Sequence, residues 1–124
     1  MQVKILRGKI HRATVTEANV DYVGSITLDA SLMEAAHILP HQEVEVWDIT
    51  NGERLQTYAV PGAARSGTVC INGAAARKIH AGDLVIVAAY GWLDERQVAA
   101  TYEPSIVHVD DRNRQVERPR SMAV

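Results

Sequence analysis

The chain has 124 residues, of which 47% are hydrophobic and 23% are charged, values typical of one ordinary globular domain. A formal net charge of -2 argues against a nucleic-acid-binding face, and no apolar run approaches the roughly 20 residues that span a bilayer. The single cysteine, Cys70, excludes an internal disulfide, and residues 1–4 carry no secretory pattern, so we expect a cytoplasmic protein.

The chain opens with a strand pattern. Residues 2–16 alternate and are rich in β-branched side chains, which predicts one or two strands broken at Gly8. On a regular strand Lys9 and His11 share one face. That face is either a solvated basic edge, which discourages pairing with other chains, or part of a binding site.

A Gly-Ser pair, Gly24-Ser25, follows a predicted loop over residues 18–21 and precedes a strand that starts at Ile26. Such pairs commonly mark a turn. They also permit self-cleavage, because a serine hydroxyl can attack the preceding carbonyl where the backbone is strained and glycine leaves room for the approach. The resulting ester can eliminate to dehydroalanine and hydrolyse to a pyruvoyl group, whose ketone accepts electrons as pyridoxal phosphate does.

Residues 29–39 are predicted to be helical, with either Asp29 or Ser31 as the N-cap and Pro40 as the stop. An apolar stripe supports the helix, formed by Leu32, Ala35, Ala36 and Leu39.

A hairpin is predicted next, with strands over residues 43–50 and 53–60 joined by Asn51-Gly52. On the second strand Arg54 and Tyr58 share one face, and Thr57 lies on the other.

The last third is predicted to hold short strands and one short helix. The strands are expected at residues 67–71, 84–89 and 105–109, a short helix follows Asn72-Gly73, and residues 97–102 are ambiguous. Many short strands without a βαβ rhythm favour a small closed barrel, and the absence of Phe leaves its core to Val, Ile, Leu and Ala. We expect one domain over residues 1–116 and a disordered tail over 117–124.

Four blocks of sequence are more specific than any single element. They are residues 4–16 (KILRGKIHRATVT), 21–29 (DYVGSITLD), 51–54 (NGER) with 57–58 (TY), and 71–77 (INGAAAR). In content, order and spacing they resemble the pyruvoyl-dependent aspartate 1-decarboxylases, and the resemblance covers nearly the whole chain.

The resemblance implies a mainly β fold, a six-stranded double-psi β-barrel with short helices. It implies autocatalytic cleavage between Gly24 and Ser25 into a short β-chain, residues 1–24, and an α-chain, residues 25–124. Ser25 is then the precursor of a covalent pyruvoyl group, which forms a Schiff base with L-aspartate; neither pyridoxal phosphate nor a metal is expected. The products are β-alanine, which feeds pantothenate and coenzyme A biosynthesis, and CO2.

The resemblance also assigns residue roles. Tyr58 resembles the proton donor to Cα, and Lys9 and Arg54 resemble carboxylate anchors, with the division between the two carboxylates left open. The other substrate contacts implied are Thr57, Asn72, Gly73, Ala74 and Ala75, while Gly24, Tyr22 and His11 support processing or the site. The implied assembly is a homotetramer with sites between subunits, and the need for an accessory maturation protein stays open.

Two alternatives remain at this level. One is a non-catalytic small β-barrel that serves as a binding or assembly module, since small barrels host many functions. The other is the same chemistry on another small acidic amino acid such as glutamate, because one methylene changes binding by only about 1–3 kcal/mol.

Overall fold

A computed structural model of the protein describes residues 1–117. The strands are β1 Gln2–Thr14, β2 Glu17–Asn19, β3 Ser25–Asp29, β4 Glu43–Asp48, β5 Arg54–Gly62, β6 Val69–Asn72, β7 Leu84–Asp94, β8 Ser105–Val109 and β9 Gln115–Val116. The helices are α1 Ala30–Ala35, α2 Glu95–Thr101 and a 3-10 helix, Gly73–Arg77. No helix in this part of the chain has the length and apolar character that crossing a membrane requires.

All nine strands belong to one sheet in the order β2-β6-β3-β5-β4-β7-β1-β8-β9. Most neighbours are antiparallel, but β1 with β8, β2 with β6, and β3 with β5 are parallel. The predicted mainly β fold with short helices is therefore confirmed. Within residues 1–117, no strand pairing joins the two edge strands β2 and β9, so the sheet is barrel-like but is not closed by hydrogen bonds.

A buried asparagine side chain links segments that are distant in the sheet. Asn113, 2% exposed, accepts a hydrogen bond from the Thr14 amide and donates to the carbonyls of Thr14 and Gly67, each at 2.8 Å. The end of β1 and the segment before β6 are thereby held together, although β1 and β6 are five places apart in the sheet order. This contact supports the curled, barrel-like shape.

The core consists of aliphatic side chains, as the composition predicts. Its largest fully buried members are Ile10, Ile26, Leu28, Ile71, Ile79, Val15, Val44, Val46, Val69, Val85, Val87 and Val109. Inward residues of neighbouring strands meet in register: Ile10 pairs with Val87, and Val87 pairs with Val46. Because successive side chains of a strand alternate, the intervening residues of these strands face away from the core.

The predicted break at Gly8 is wrong, because β1 runs continuously and instead has a register shift between Leu6 and Gly8. A bulge preserves the strand while changing its direction. Gly8 itself is packed so tightly that an added Cβ would lie 1.8 Å from the Ala36 carbonyl oxygen. The region of the predicted loop 18–21 also contains the short strand β2, which pairs with β6.

The predicted helix over residues 29–39 is shorter in the structure. Asp29 is the N-cap, and its carboxylate accepts hydrogen bonds from the backbone N–H groups of Ser31, Arg65 and Gly67. Burial acts to raise the pKa of Asp29, but a hydrogen bond from the Ser31 hydroxyl, followed by these backbone bonds, lowers it overall. The helix ends by Ala36, so Leu39 is 54% exposed and does not continue the apolar stripe.

The remaining assignments follow the sequence closely. The Asn51-Gly52 hairpin and the strand over Ser105–Val109 are confirmed, and the ambiguous residues 97–102 lie largely in α2. The tail predicted to be disordered lies outside the described residues apart from Glu117.

Candidate active site

The Gly24–Ser25 bond lies where an exposed segment enters the sheet. Tyr22 and Val23 are 64% and 75% exposed, whereas Ser25, the first residue of β3, is 6% exposed. Ser25 pairs with Asn72 of the antiparallel strand β6. The serine is therefore fixed by the sheet while the residues before it face solvent.

The Asn72 side chain holds the Ser25 hydroxyl. Its Nδ2 donates to Ser25 Oγ and to Thr27 Oγ1, each at 3.0 Å. The Ser25 hydroxyl makes a longer contact, 3.5 Å, to the Val23 carbonyl oxygen. A donor on Oγ stabilises negative charge that develops there when the hydroxyl acts as a nucleophile.

Gly73 packs closely against Gly24, the residue before the Gly24–Ser25 bond. Its φ is +75°, and an added Cβ would lie 2.6 Å from Gly24 Cα, 2.9 Å from Gly24 N and 3.2 Å from the Tyr22 carbonyl oxygen. Glycine is required at this position both by its left-handed backbone and by the close approach of a second chain segment. Gly73 therefore acts through its contact with Gly24, beneath the surface.

A pocket of about 310 Å³ opens beside Gly24. It is lined by five predicted residues, Gly24, Thr57, Asn72, Ala74 and Ala75, together with Leu55, Gln56 and Lys78. Gln56 and Lys78 were not among the predicted site residues. Gln56 alternates with Arg54 and Tyr58 in the sequence, but nothing in the sequence distinguishes Lys78 from an ordinary surface cation. Another pocket of the same volume, beside Arg7 and Trp92, contains no predicted site residue.

Thr57 and Tyr58 point to opposite faces of β5, as the alternation predicts. Ile26 pairs with Ala59 in parallel register and both are fully buried, so the preceding residues, Ser25 and Tyr58, lie level on neighbouring strands and face outward. Tyr58 is 37% exposed, with its ring 6.4 Å from that of His41. Tyr58 is thus level with Ser25 on the same face of neighbouring strands, with Tyr58 partly exposed and Ser25 buried.

Arg54 lies further along the same outward face of β5. Its guanidinium carbon is 4.6 Å from the centre of the Trp47 ring, on the strand paired with β5. This cation–π contact orients the guanidinium without neutralising its charge. The cation remains able to bind an anion at the exposed surface.

Lys9 and His11 lie on β1, which is four places from β3 in the strand order β3-β5-β4-β7-β1, and neither residue lines the pocket beside Gly24. The His11 ring packs edge-on against His108 at 5.6 Å between centroids. Burial, followed by the positive charges near it on Lys9, His108 and Arg12, lowers the pKa of His11, which favours the neutral imidazole.

A model of the family described as aspartate decarboxylase matches residues 1–116. The "Aspartate 1-decarboxylase" of Acetivibrio thermocellus is 53% identical over 114 residues, covering 92% of this chain and 90% of the relative. The proteins of the same name from Syntrophotalea carbinolica and Campylobacter fetus subsp. fetus are 54% and 51% identical, covering 91% of this chain in each case and 86% and 96% of the relatives.

Proposed function

The chain belongs to the aspartate decarboxylase family, and on that premise we propose that it converts L-aspartate to β-alanine and CO2. The names of the relatives favour an enzyme over a non-catalytic barrel, and aspartate over glutamate. We further propose that the reaction uses a pyruvoyl group made from Ser25, and that its product supplies pantothenate synthesis in the cytoplasm.

The observation that carries the proposal is the clamped Gly24–Ser25 bond. Asn72 donates to Ser25 Oγ at 3.0 Å, and Gly73 leaves space in which Gly24 packs. The hydroxyl and the carbonyl that it would attack are adjacent along the chain, so fixing both converts an improbable encounter into an oriented one.

The cleavage that we propose proceeds by an acyl shift followed by an elimination. Ser25 Oγ bonds to the Gly24 carbonyl carbon, the Gly24–Ser25 C–N bond breaks, and the nitrogen takes a proton. Loss of the Cα proton of residue 25 then expels Gly24 as a carboxylate and leaves dehydroalanine. Addition of water releases ammonia and leaves the pyruvoyl ketone at the new N-terminus.

The pocket beside Gly24 supports a role for Thr57 in that acyl shift. Thr57 lines the same pocket as Gly24 and Asn72, so a hydroxyl donor is available in the pocket beside the bond. We assign Thr57 as a donor to the oxyanion that forms at the Gly24 carbonyl. The same pocket would hold substrate after cleavage, against Asn72, Ala74 and Ala75.

When formed, the pyruvoyl group supplies the electron sink that decarboxylation of an α-amino acid needs. We assign Tyr58 the delivery of a proton to Cα, because it is level with Ser25 on the outer face. A phenol is a weak acid in water, but it is competent against a carbanion held within hydrogen-bond reach. Arg54 is assigned to a substrate carboxylate, for which its planar fork is suited.

The position of Lys9 outside the pocket beside Gly24 supports an assembly with shared sites. Lys9 lies on β1, four places from β3 in the strand order, and we propose that it is supplied to the site by a second subunit of a homotetramer. His11, two residues along the same strand, and the exposed Tyr22 are assigned supporting roles at that contact. An accessory protein for maturation is compatible with the exposed segment before Ser25.

Intact mass spectrometry of the purified protein tests this proposal. We expect two fragments that meet at Gly24–Ser25, with the larger lacking its amino group. Borohydride reduction in the presence of aspartate should join the substrate, or its decarboxylated product, to the larger fragment as a secondary amine, with the ketone oxygen lost as water. A Ser25→Ala variant should show neither cleavage nor activity, and an active, uncleaved variant would refute the covalent role.

A further inference from the structure

The Asn72 amide nitrogen donates to Ser25 and Thr27, and the amide oxygen has a partner of its own. Cys70 lies two residues earlier on β6, and its Sγ is 3.2 Å from Asn72 Oδ1. The Nδ2 of the same amide donates to Ser25 Oγ. A chain of contacts therefore runs from the only cysteine of the sequence through one amide to the serine at the cleavage junction.

Ser25 and Thr27 do not decide whether Oδ1 or Nδ2 of the Asn72 amide faces them. The hydroxyls of Ser25 and Thr27 can each donate or accept a hydrogen bond, so either the oxygen or the nitrogen of the amide satisfies them. A thiol is different, because it donates a hydrogen but is only a weak acceptor. Cys70 therefore favours the orientation that directs Oδ1 to sulfur and Nδ2 to Ser25 Oγ.

Glu17 competes for the same thiol hydrogen. Its Oε2 is 3.6 Å from Cys70 Sγ, a longer contact than the 3.2 Å to Asn72 Oδ1. Burial, and secondarily the neighbouring Glu17 carboxylate, raise the pKa of the Cys70 thiol above its ordinary value. The hydrogen is thus retained at neutral pH, and the geometry directs it to Asn72.

We propose that Cys70 is a positioning residue for the Gly24–Ser25 cleavage, and that its S–H holds the Asn72 amide with Nδ2 on Ser25 Oγ. This inference rests on the proposed function, since it concerns the rate of the same self-cleavage. Cys70 makes no contact with the scissile bond and acts only through Asn72. Its thiol serves as a hydrogen-bond donor and is not a nucleophile.

Two substitutions at Cys70 distinguish the effect of the S–H donor from the effect of side-chain volume. Cys70→Val keeps a comparable volume and suits a strand, but it removes the donor. We expect its cleavage half-time to lengthen about five-fold, the change that corresponds to one net hydrogen bond of about 1 kcal/mol. Cys70→Ser restores a donor, but its hydroxyl can also accept from a turned amide, so its cleavage rate should lie between those of Cys70→Val and the unaltered protein. Cleavage is followed by intact mass at fixed temperature after purification of the uncut chain.

Glu17→Ala is the matched control, since it removes the competing acceptor and leaves Asn72 in place. We expect it to cleave at least as fast as the unaltered protein. Each substitution is also made in a Ser25→Ala background, where cleavage cannot occur, and thermal unfolding should show that Cys70→Val and Cys70→Ser have similar stability.

The inference is overturned if Cys70→Val cleaves at the rate of the unaltered protein, or if Cys70→Ser is as slow as Cys70→Val. It is also overturned if Glu17→Ala slows cleavage as much as Cys70→Val does. Failure of the proposed function looks different. In that case the unaltered protein itself is never cleaved at Gly24–Ser25. If only this inference fails, the protein is cleaved and the cleavage rate does not depend on residue 70.

Discussion

Replacing Gly73 by alanine is expected to slow cleavage at the Gly24–Ser25 bond strongly, with only a modest loss of stability. The added Cβ would lie 2.6 Å from Gly24 Cα, about 0.8 Å less than the 3.4 Å at which ordinary contact begins. The segment before Ser25 is exposed, so it yields more readily than the buried strand β6. Gly24 therefore moves away from the serine that attacks it.

The size of the effect follows from that displacement. A misplacement of about 1 Å between reacting groups can cost on the order of 100-fold in rate, so we expect cleavage to slow by about that factor. Alanine at a left-handed backbone position costs about 1–2 kcal/mol in addition. Gly52→Ala is the matched control, because its φ is +81° and nothing lies within 4 Å of the added Cβ.

The assay combines cleavage half-time by intact mass with the free energy of unfolding from urea titration, measured in a Ser25→Ala background. Gly52→Ala should lose the same 1–2 kcal/mol, an approximate strain cost, and still cleave normally. Gly73→Ala should lose at least as much stability and cleave about 100-fold more slowly. Normal cleavage by Gly73→Ala would show that the packing of Gly24 on Gly73 does not position the scissile bond.

Three further predictions concern catalysis, titration and the fold. Tyr58→Phe should still cleave but should turn over at least about 100-fold more slowly, the usual contribution of a general acid; near-normal kcat with aspartate would remove Tyr58 from the mechanism. Burial and the neighbouring Asp83 raise the pKa of Asp48 from 3.8 to about 6, so the folded state holds an extra proton and its stability falls as pH rises between those values. Asp48→Asn should remove this loss, at most about 3 kcal/mol, and an unchanged pH profile of the unfolding free energy would contradict it. Asn113→Ala removes three hydrogen bonds to the backbone and should cost about 3 kcal/mol in a urea titration; a loss below about 1 kcal/mol would mean that Asn113 does not hold β1 to the segment before β6.

The sequence predicts local structure well where the cause is local. The Asn51-Gly52 turn fixes its hairpin because left-handed backbone angles favour those residues, and Gly52 has a φ of +81°. The alternation that separates Thr57 from Tyr58 also holds, because successive side chains of any strand point to opposite faces. The Gly24-Ser25 dipeptide alone does not distinguish a cleavage site from an ordinary turn. The prediction of a cleavage site there depends on the family resemblance.

The predictions that fail depend on contacts with distant parts of the chain. β2 has only three residues, and it forms because β6 offers a partner, which no local pattern reveals. Gly8 marks a bulge rather than a break, since β7 continues to pair with β1 on both sides of it. Leu39 fits the helical period but lies beyond the end of α1, where the chain has left the core.

The amino-acid sequence by itself determined which bond is a candidate for cleavage, which residue types surround it, and that the fold is mainly β, because these depend on side-chain chemistry and short-range backbone preference. Only the tertiary structure decided which of those residues meet. Strand order and register set distances between residues far apart in the chain, and they bring Asn72, Gly73 and Thr57 to the Gly24–Ser25 junction while leaving Lys9 four strands away.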